Sequence, residues 1–147
     1  MALLGRLLEG DLLMPGAVAL ISPWIDLAAG GESMNSKASV DPMLTRDAVL
    51  GMAKAYLRGG SIPAALKPLE QNLANLPPLM IQVGSWEVLL DDATRLAAYA
   101  ASYDVSVTLK VWPGMVHDWP LFAPMLDEGW AAIGEIGLFL RHHLTVL

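Results

Sequence analysis

Histidine is the side chain best suited to moving protons near neutral pH, and this chain has only three. Two of them, His142 and His143, are adjacent near the C-terminus. The third, His117, sits in "PGMVHDW", directly after the apolar run "VSVTLKVW". An imidazole at the end of a strand can serve as a general base when a carboxylate accepts its Nδ1–H, which fixes the tautomer and stabilises the cation. Candidate carboxylates stand in two other loops that follow apolar runs: Asp26 in "SPWID", and Glu87, Asp91 and Asp92 in "GSWEVLLDD".

Each of these groups also has a structural reading. Asp91 and Asp92 precede a helical segment, where capping and the helix dipole account for them. Glu87 lies between Trp86 and Val88, ahead of the helix proper, where no cap is needed. His142 and His143 fall in a last helical turn, which favours cations, and are assigned no function. Five Trp and eight Met read as core or pocket lining. Three scattered histidines lack metal-ligand spacing, and no phosphate-binding glycine pattern occurs. No metal or cofactor is expected.

The elements that must position these groups alternate. Residues 2–9 read as a short helix with no capping residue before it. "AVALIS", 17–22, reads as a buried strand, and "LMIQVG", 79–84, as another. "VSVTLKVW", 105–112, alternates apolar and polar residues with strand periodicity. Helices are expected over 46–58, capped by Thr45, from Asp91 or Asp92 to about Tyr103, and over about 125–143. The last should carry an apolar stripe of Leu126, Trp130, Ile133, Ile136 or Gly137, Leu140 and Leu144. This order predicts an α/β fold with three mainly parallel strands flanked by helices. In such sheets the working loops leave the C-terminal ends of the strands. The loops after Ser22, Gly84 and Trp112 are those ends.

Composition narrows the partners. The 147 residues suit one domain, with 54% hydrophobic residues and a mean hydropathy of +0.46. That is apolar for a domain of this size, yet no run reaches a membrane span and the start does not read as a signal peptide. A net charge of −6 excludes a phosphate-backbone footprint, so no nucleic-acid partner is expected. The absence of cysteine fits a reducing, cytoplasmic compartment.

Taken in order, "ALISPWIDL", "DPML", "LPPLMIQVGSWEVLLDDATRLA" and "VTLKVWPGMVHDW" resemble the hormone-sensitive-lipase-like branch of the α/β-hydrolase family. The resemblance runs from about Leu12 to Leu144. It implies a short-chain carboxylic ester hydrolase using a Ser-His-acid triad, with a small ester as substrate. The family's acid motif maps onto Glu87 to Asp92, making Glu87 the acid with Asp91 as the alternative. The family's catalytic histidine maps onto His117. Trp24, Asp26, Trp86, Val116 and Trp119 are implied to shape the substrate pocket, with about 27–66 contributing a cap. The family's Gly-x-Ser-x-Gly nucleophile and its oxyanion loop have no counterpart here. The chain is therefore expected to be the C-terminal portion of one such domain, with the nucleophile just upstream of Met1. The strand "AVALIS" would then expose an edge, through which the chain is expected to self-associate or to pair with the N-terminal half.

Overall fold

The computed structural model describes residues 1–144. Helix α1 (Ala2–Glu9) leads into strand β1 (Val18–Ile21). A short helix α2 (Ser33–Ser36) and the longer α3 (Arg46–Tyr56) follow before strand β2 (Leu79–Gly84). Helix α4 (Leu90–Ala101), strand β3 (Val107–Trp112), a 3-10 segment (Trp119–Met125) and helix α5 (Asp127–Leu144) complete the order. The three strands form one sheet in the order β1-β2-β3. Both pairings are parallel, with Val18 opposite Leu79 and Leu79 opposite Val107. The expected α/β architecture is the one observed.

β2 is central and buried along its whole length, as its apolar run requires, with Gln82 as its one polar member. Leu79, Ile81 and Val83 pack into the main core with Leu4 of α1 and Leu96, Ala97 and Ala100 of α4. The remaining face meets α5, where Trp112, Trp119 and Ala132 form a second core. A third cluster of Ala29, Met34, Val49, Val88 and Leu89 fastens 27–66 to the loop after β2. Thr45 caps α3 as its position predicts, its Oγ1 accepting the Ala48 N–H at 3.2 Å.

Three local expectations need correction. Neither Asp91 nor Asp92 caps α4: the helix starts at Leu90 with no side-chain cap, and the two carboxylates, inside its first turn, accept from Ser33 at the start of α2 and from Ile25 in the loop after β1. In β3 the apolar positions Leu109 and Val111 are 37% and 38% exposed, because that face of the strand is incompletely covered beyond Val107. In α5 the inward residues are Gly129 and Ala132, while Trp130 is 60% and Ile133 42% exposed. A Cβ at Gly129 would meet the Ala123 Cα at 2.8 Å, so close approach selects small residues for the buried face. Of the expected stripe, Leu126 packs against the Trp112–Trp119–Ala132 core, while Ile136 and Leu140 are only half-buried.

Candidate active site

The loops after β1, β2 and β3 converge on the Glu87 carboxylate, which is completely buried. Its Oε2 lies 3.1 Å from Nδ1 of His117. A carboxylate only accepts, so Nδ1 carries the proton and Nε2 is left free to accept one. Its Oε1 accepts from the Gly84 N–H at 2.6 Å and from the Ser22 hydroxyl at 2.7 Å. The two oxygens therefore have separate duties.

The local backbone makes this possible. A Cβ at Gly84 would collide with the Met115 carbonyl, reaching 2.6 Å from its carbon, so only glycine lets the loop after β3 cross here. The Trp86 N–H donates to the same Met115 carbonyl at 3.0 Å, and the Gly114 N–H donates to the Ser85 Oγ at 2.8 Å. Asp41 holds the chain just beyond Glu87. Its Oδ2 accepts the Val88 N–H at 2.8 Å, and its Oδ1 accepts from Met43 and Leu44. Ser22 and Asp118 both have positive φ, 44° and 50°, which is costly for residues other than glycine and clusters at functional sites.

Burial by itself pushes the His117 pKa down. The hydrogen bond to Glu87 and the negative charges of Asp118, Glu87 and Asp41 outweigh it, and the net shift is upward from 6.5. Asp118 acts from the other side of the ring, its Oδ2 lying 3.4 Å from Nε2.

Asp91 and Asp92 are occupied elsewhere. The Asp91 Oδ2 accepts the Ser33 N–H at 2.9 Å, while the Ser33 Oγ donates to the Val88 carbonyl at 2.6 Å. The Asp92 Oδ2 accepts from both the Ile25 and Asp26 N–H groups, tying the loop after β1 to α4. Burial pushes the Asp92 pKa up, the two backbone donors pull it down, and the nearby Asp26 charge adds to the net rise. Asp26 itself is spent on Ala28, Gly30 and an ion pair with Arg95 at 3.0 Å. Against its burial, the Arg95 hydrogen bond and these backbone donors lower the Asp26 pKa.

Of the expected pocket residues, Trp24 lines an apolar cavity of about 420 Å³ together with Leu20, Pro23, Tyr56 and Leu66. Asp26 lies outside that lining. Trp86 is half exposed, and Val116 packs at the edge of the Trp112–Trp119 cluster. Trp119 is fully buried with its ring centroid 5.7 Å from that of Trp112, so it supports the His117 loop from below instead of lining a cavity. Two site residues, Ser22 and Asp41, were not singled out from the sequence as members of the site. Ser22 stands at a strand end, and Asp41 opens the "DPML" motif, but neither position names its partner.

A family model described as the alpha/beta hydrolase fold matches residues 1–121. The chain is 40% identical to an acetyl-hydrolase of Streptomyces hygroscopicus over 95% of its own length and 47% of that protein. A solved esterase of the bacterial hormone-sensitive lipase family superposes with a TM-score of 0.94 at 43% identity, covering 97% of this chain and 48% of the other. This chain belongs to the α/β-hydrolase family, in its hormone-sensitive-lipase-like branch. A crystal of EstE5 soaked with p-nitrophenyl butyrate matches this chain at a TM-score of 0.93 and 39% identity, covering 99% of this chain and 49% of that structure. The chain thus spans about half the length of the relatives it matches. Among its described residues no helix is long and apolar enough to cross a membrane, and no group of three or more His, Asp or Glu side chains could hold a metal.

Proposed function

We propose that this chain supplies the acid and the base of a Ser-His-acid carboxylic ester hydrolase, and that the nucleophile and oxyanion donors come from outside these 147 residues. The observation that carries this reading is the 3.1 Å contact between Glu87 Oε2 and His117 Nδ1, made by a carboxylate with no solvent exposure. His117 takes the proton of an attacking serine through Nε2 and returns it to the departing alcohol. Glu87 stabilises the imidazolium formed between these steps. Water, activated by the same imidazole, then cleaves the acyl-enzyme. Neither Ser22 nor Ser85 serves as nucleophile in this reading, because Ser22 Oγ faces the acid and Ser85 Oγ is bonded to Gly114.

The substrate class rests on relatives named acetyl-hydrolase and esterase, and a small ester is proposed. The apolar cavity beside Trp24 is suited to an acyl chain. The cytoplasmic location drawn from the cysteine-free sequence stays part of this proposal.

The test fuses the N-terminal half of the Streptomyces acetyl-hydrolase to this chain and follows p-nitrophenyl butyrate hydrolysis. The expected result is an inactive chain alone, an active fusion, and activity lost with His117→Ala. Turnover by the chain alone that survives His117→Ala would overturn the reading. So would a folded fusion whose elbow serine reacts with a fluorophosphonate equally fast with and without His117.

A second reading is favoured by one feature. Among the described residues β1 pairs with β2 alone, so its other edge offers unpaired backbone groups, and Ile21 in this strand is 36% exposed. In that reading the chain is a non-catalytic α/β module that self-associates or docks onto a separate N-terminal half. Light scattering decides it: a monomer at high concentration that ignores an added N-terminal half counts against it.

A further inference from the structure

Ser22 stands 65 residues from Glu87 in sequence and 96 from Asp118, yet it bonds to both. Its Oγ accepts the Asp118 N–H at 3.2 Å, which leaves its single hydrogen for Glu87 Oε1 at 2.7 Å. The residue is 3% exposed, so water does not substitute for either partner. Its φ of 44° is an uncommon conformation for serine, and glycine would occupy it at less cost. A strained residue that keeps its hydroxyl in a buried three-loop junction points to a use for that hydroxyl.

We propose that Ser22 is a positioning residue for the acid–base pair, its hydroxyl clamping the Glu87 carboxylate to the backbone of the His117 loop. This rests on the ester hydrolase reading above. The terminal torsion of a glutamate is broad, so a carboxylate held at one oxygen by a single N–H can turn and present either oxygen. With both Gly84 and Ser22 on Oε1, only Oε2 faces His117. The bond to Asp118 N–H simultaneously fixes the residue next to His117, so the imidazole and its partner are registered by one hydroxyl. Ser22 touches no reacting atom. It acts through Glu87 and through the loop.

The experiment uses the chain as it is, labelled with ¹⁵N, and reads the His117 Nδ1–H resonance and the Asp118 amide by solvent-exchange NMR. Ser22→Gly removes the hydroxyl while suiting the backbone, and Ser22→Ala removes it while retaining Cβ. Both variants are expected to speed exchange at the two sites by about tenfold or more, the scale of a lost hydrogen bond to a charged group. The amides of Leu79–Gly84 in β2 should keep their protection. Unchanged exchange at both sites would overturn the proposal. Loss of β2 protection in both variants would also overturn it, by making Ser22 a residue of the fold and not of the pair. Glu87→Gln separates the underlying reading: if it leaves His117 titration unaltered, the acid–base pair itself fails, whatever Ser22 does.

Discussion

Asp118 Oδ2 lies 3.4 Å from Nε2 of His117, opposite the nitrogen that Glu87 holds. The imidazole is thus flanked by two carboxylates, one buried and one partly exposed. The buried one orients the ring. The outer one faces the nitrogen that must accept a proton in the proposed mechanism, and its charge favours the protonated ring. Asp118→Asn should lower the His117 pKa while leaving the Glu87 contact in place. An NMR titration of the His117 ring checks this, and an unchanged midpoint would remove Asp118 from the electrostatics of the site.

The same upward shift makes stability depend on pH. The folded chain binds the His117 proton more tightly than the unfolded chain, whose histidine titrates near the ordinary 6.5. The stabilisation is therefore complete below that value and is lost as pH rises through the raised folded value. Urea unfolding of the chain and of His117→Gln, followed from about pH 5 to about pH 8 around the ordinary histidine range, should give a stability gap that narrows as pH rises. A gap that widens with pH would contradict the assignment.

Gly84 is confined from two sides, by the Met115 carbonyl and by Glu87 Oε1. Gly84→Ala should cost roughly 1–3 kcal/mol, the usual penalty for overpacking a rigid site, and it should displace the His117 loop. The clash is with backbone, which cannot swing aside as a flexible side chain would. Urea midpoints measure the cost, and loss of the His117 Nδ1–H resonance reports the displacement. A variant as stable as the parent would mean that the two loops separate more easily than their hydrogen bonds suggest.

Asp41 is 8% exposed and accepts three backbone N–H groups, from Met43, Leu44 and Val88. Asp41→Ala leaves these donors without their partner and should destabilise the chain by roughly 1–3 kcal/mol or more, with Asp41→Asn recovering part of the loss. Because Val88 adjoins Glu87, hydrogen exchange should rise first in the loop after β2. Uniform loosening of the whole sheet would instead make Asp41 a general support.

Trp119 fills the space between β3 and α5 with no exposure at all. Trp119→Ala should cost about 3–5 kcal/mol as a large buried ring is replaced by a cavity. Thermal unfolding measures it. A loss under about 1 kcal/mol, far below the usual range for such a truncation, would show that the His117 loop collapses readily onto the hole.

Local pattern was enough to read the alternation of helices and parallel strands, the Thr45 cap and the strand ends bearing Glu87 and His117. Each depends on short-range periodicity or on a residue's fit to one backbone position, and such signals survive in a linear chain. What the sequence could not disclose was long-range pairing. Asp91 and Asp92 look like helix caps along the chain, and only the fold hands them the backbone donors of Ser33, Ile25 and Asp26. The buried side of α5 is hard to read along the chain because Gly129 and Ala132 are small beside Trp130 and Ile133, while the close approach to Ala123 admits only glycine at 129. Which carboxylate contacts His117, Glu87 and not Asp91, and the presence of Ser22 beside that contact, depend on the tertiary structure. They follow from three parallel strands ending side by side, which brings Ser22 and His117 within hydrogen-bonding distance of the Glu87 carboxylate.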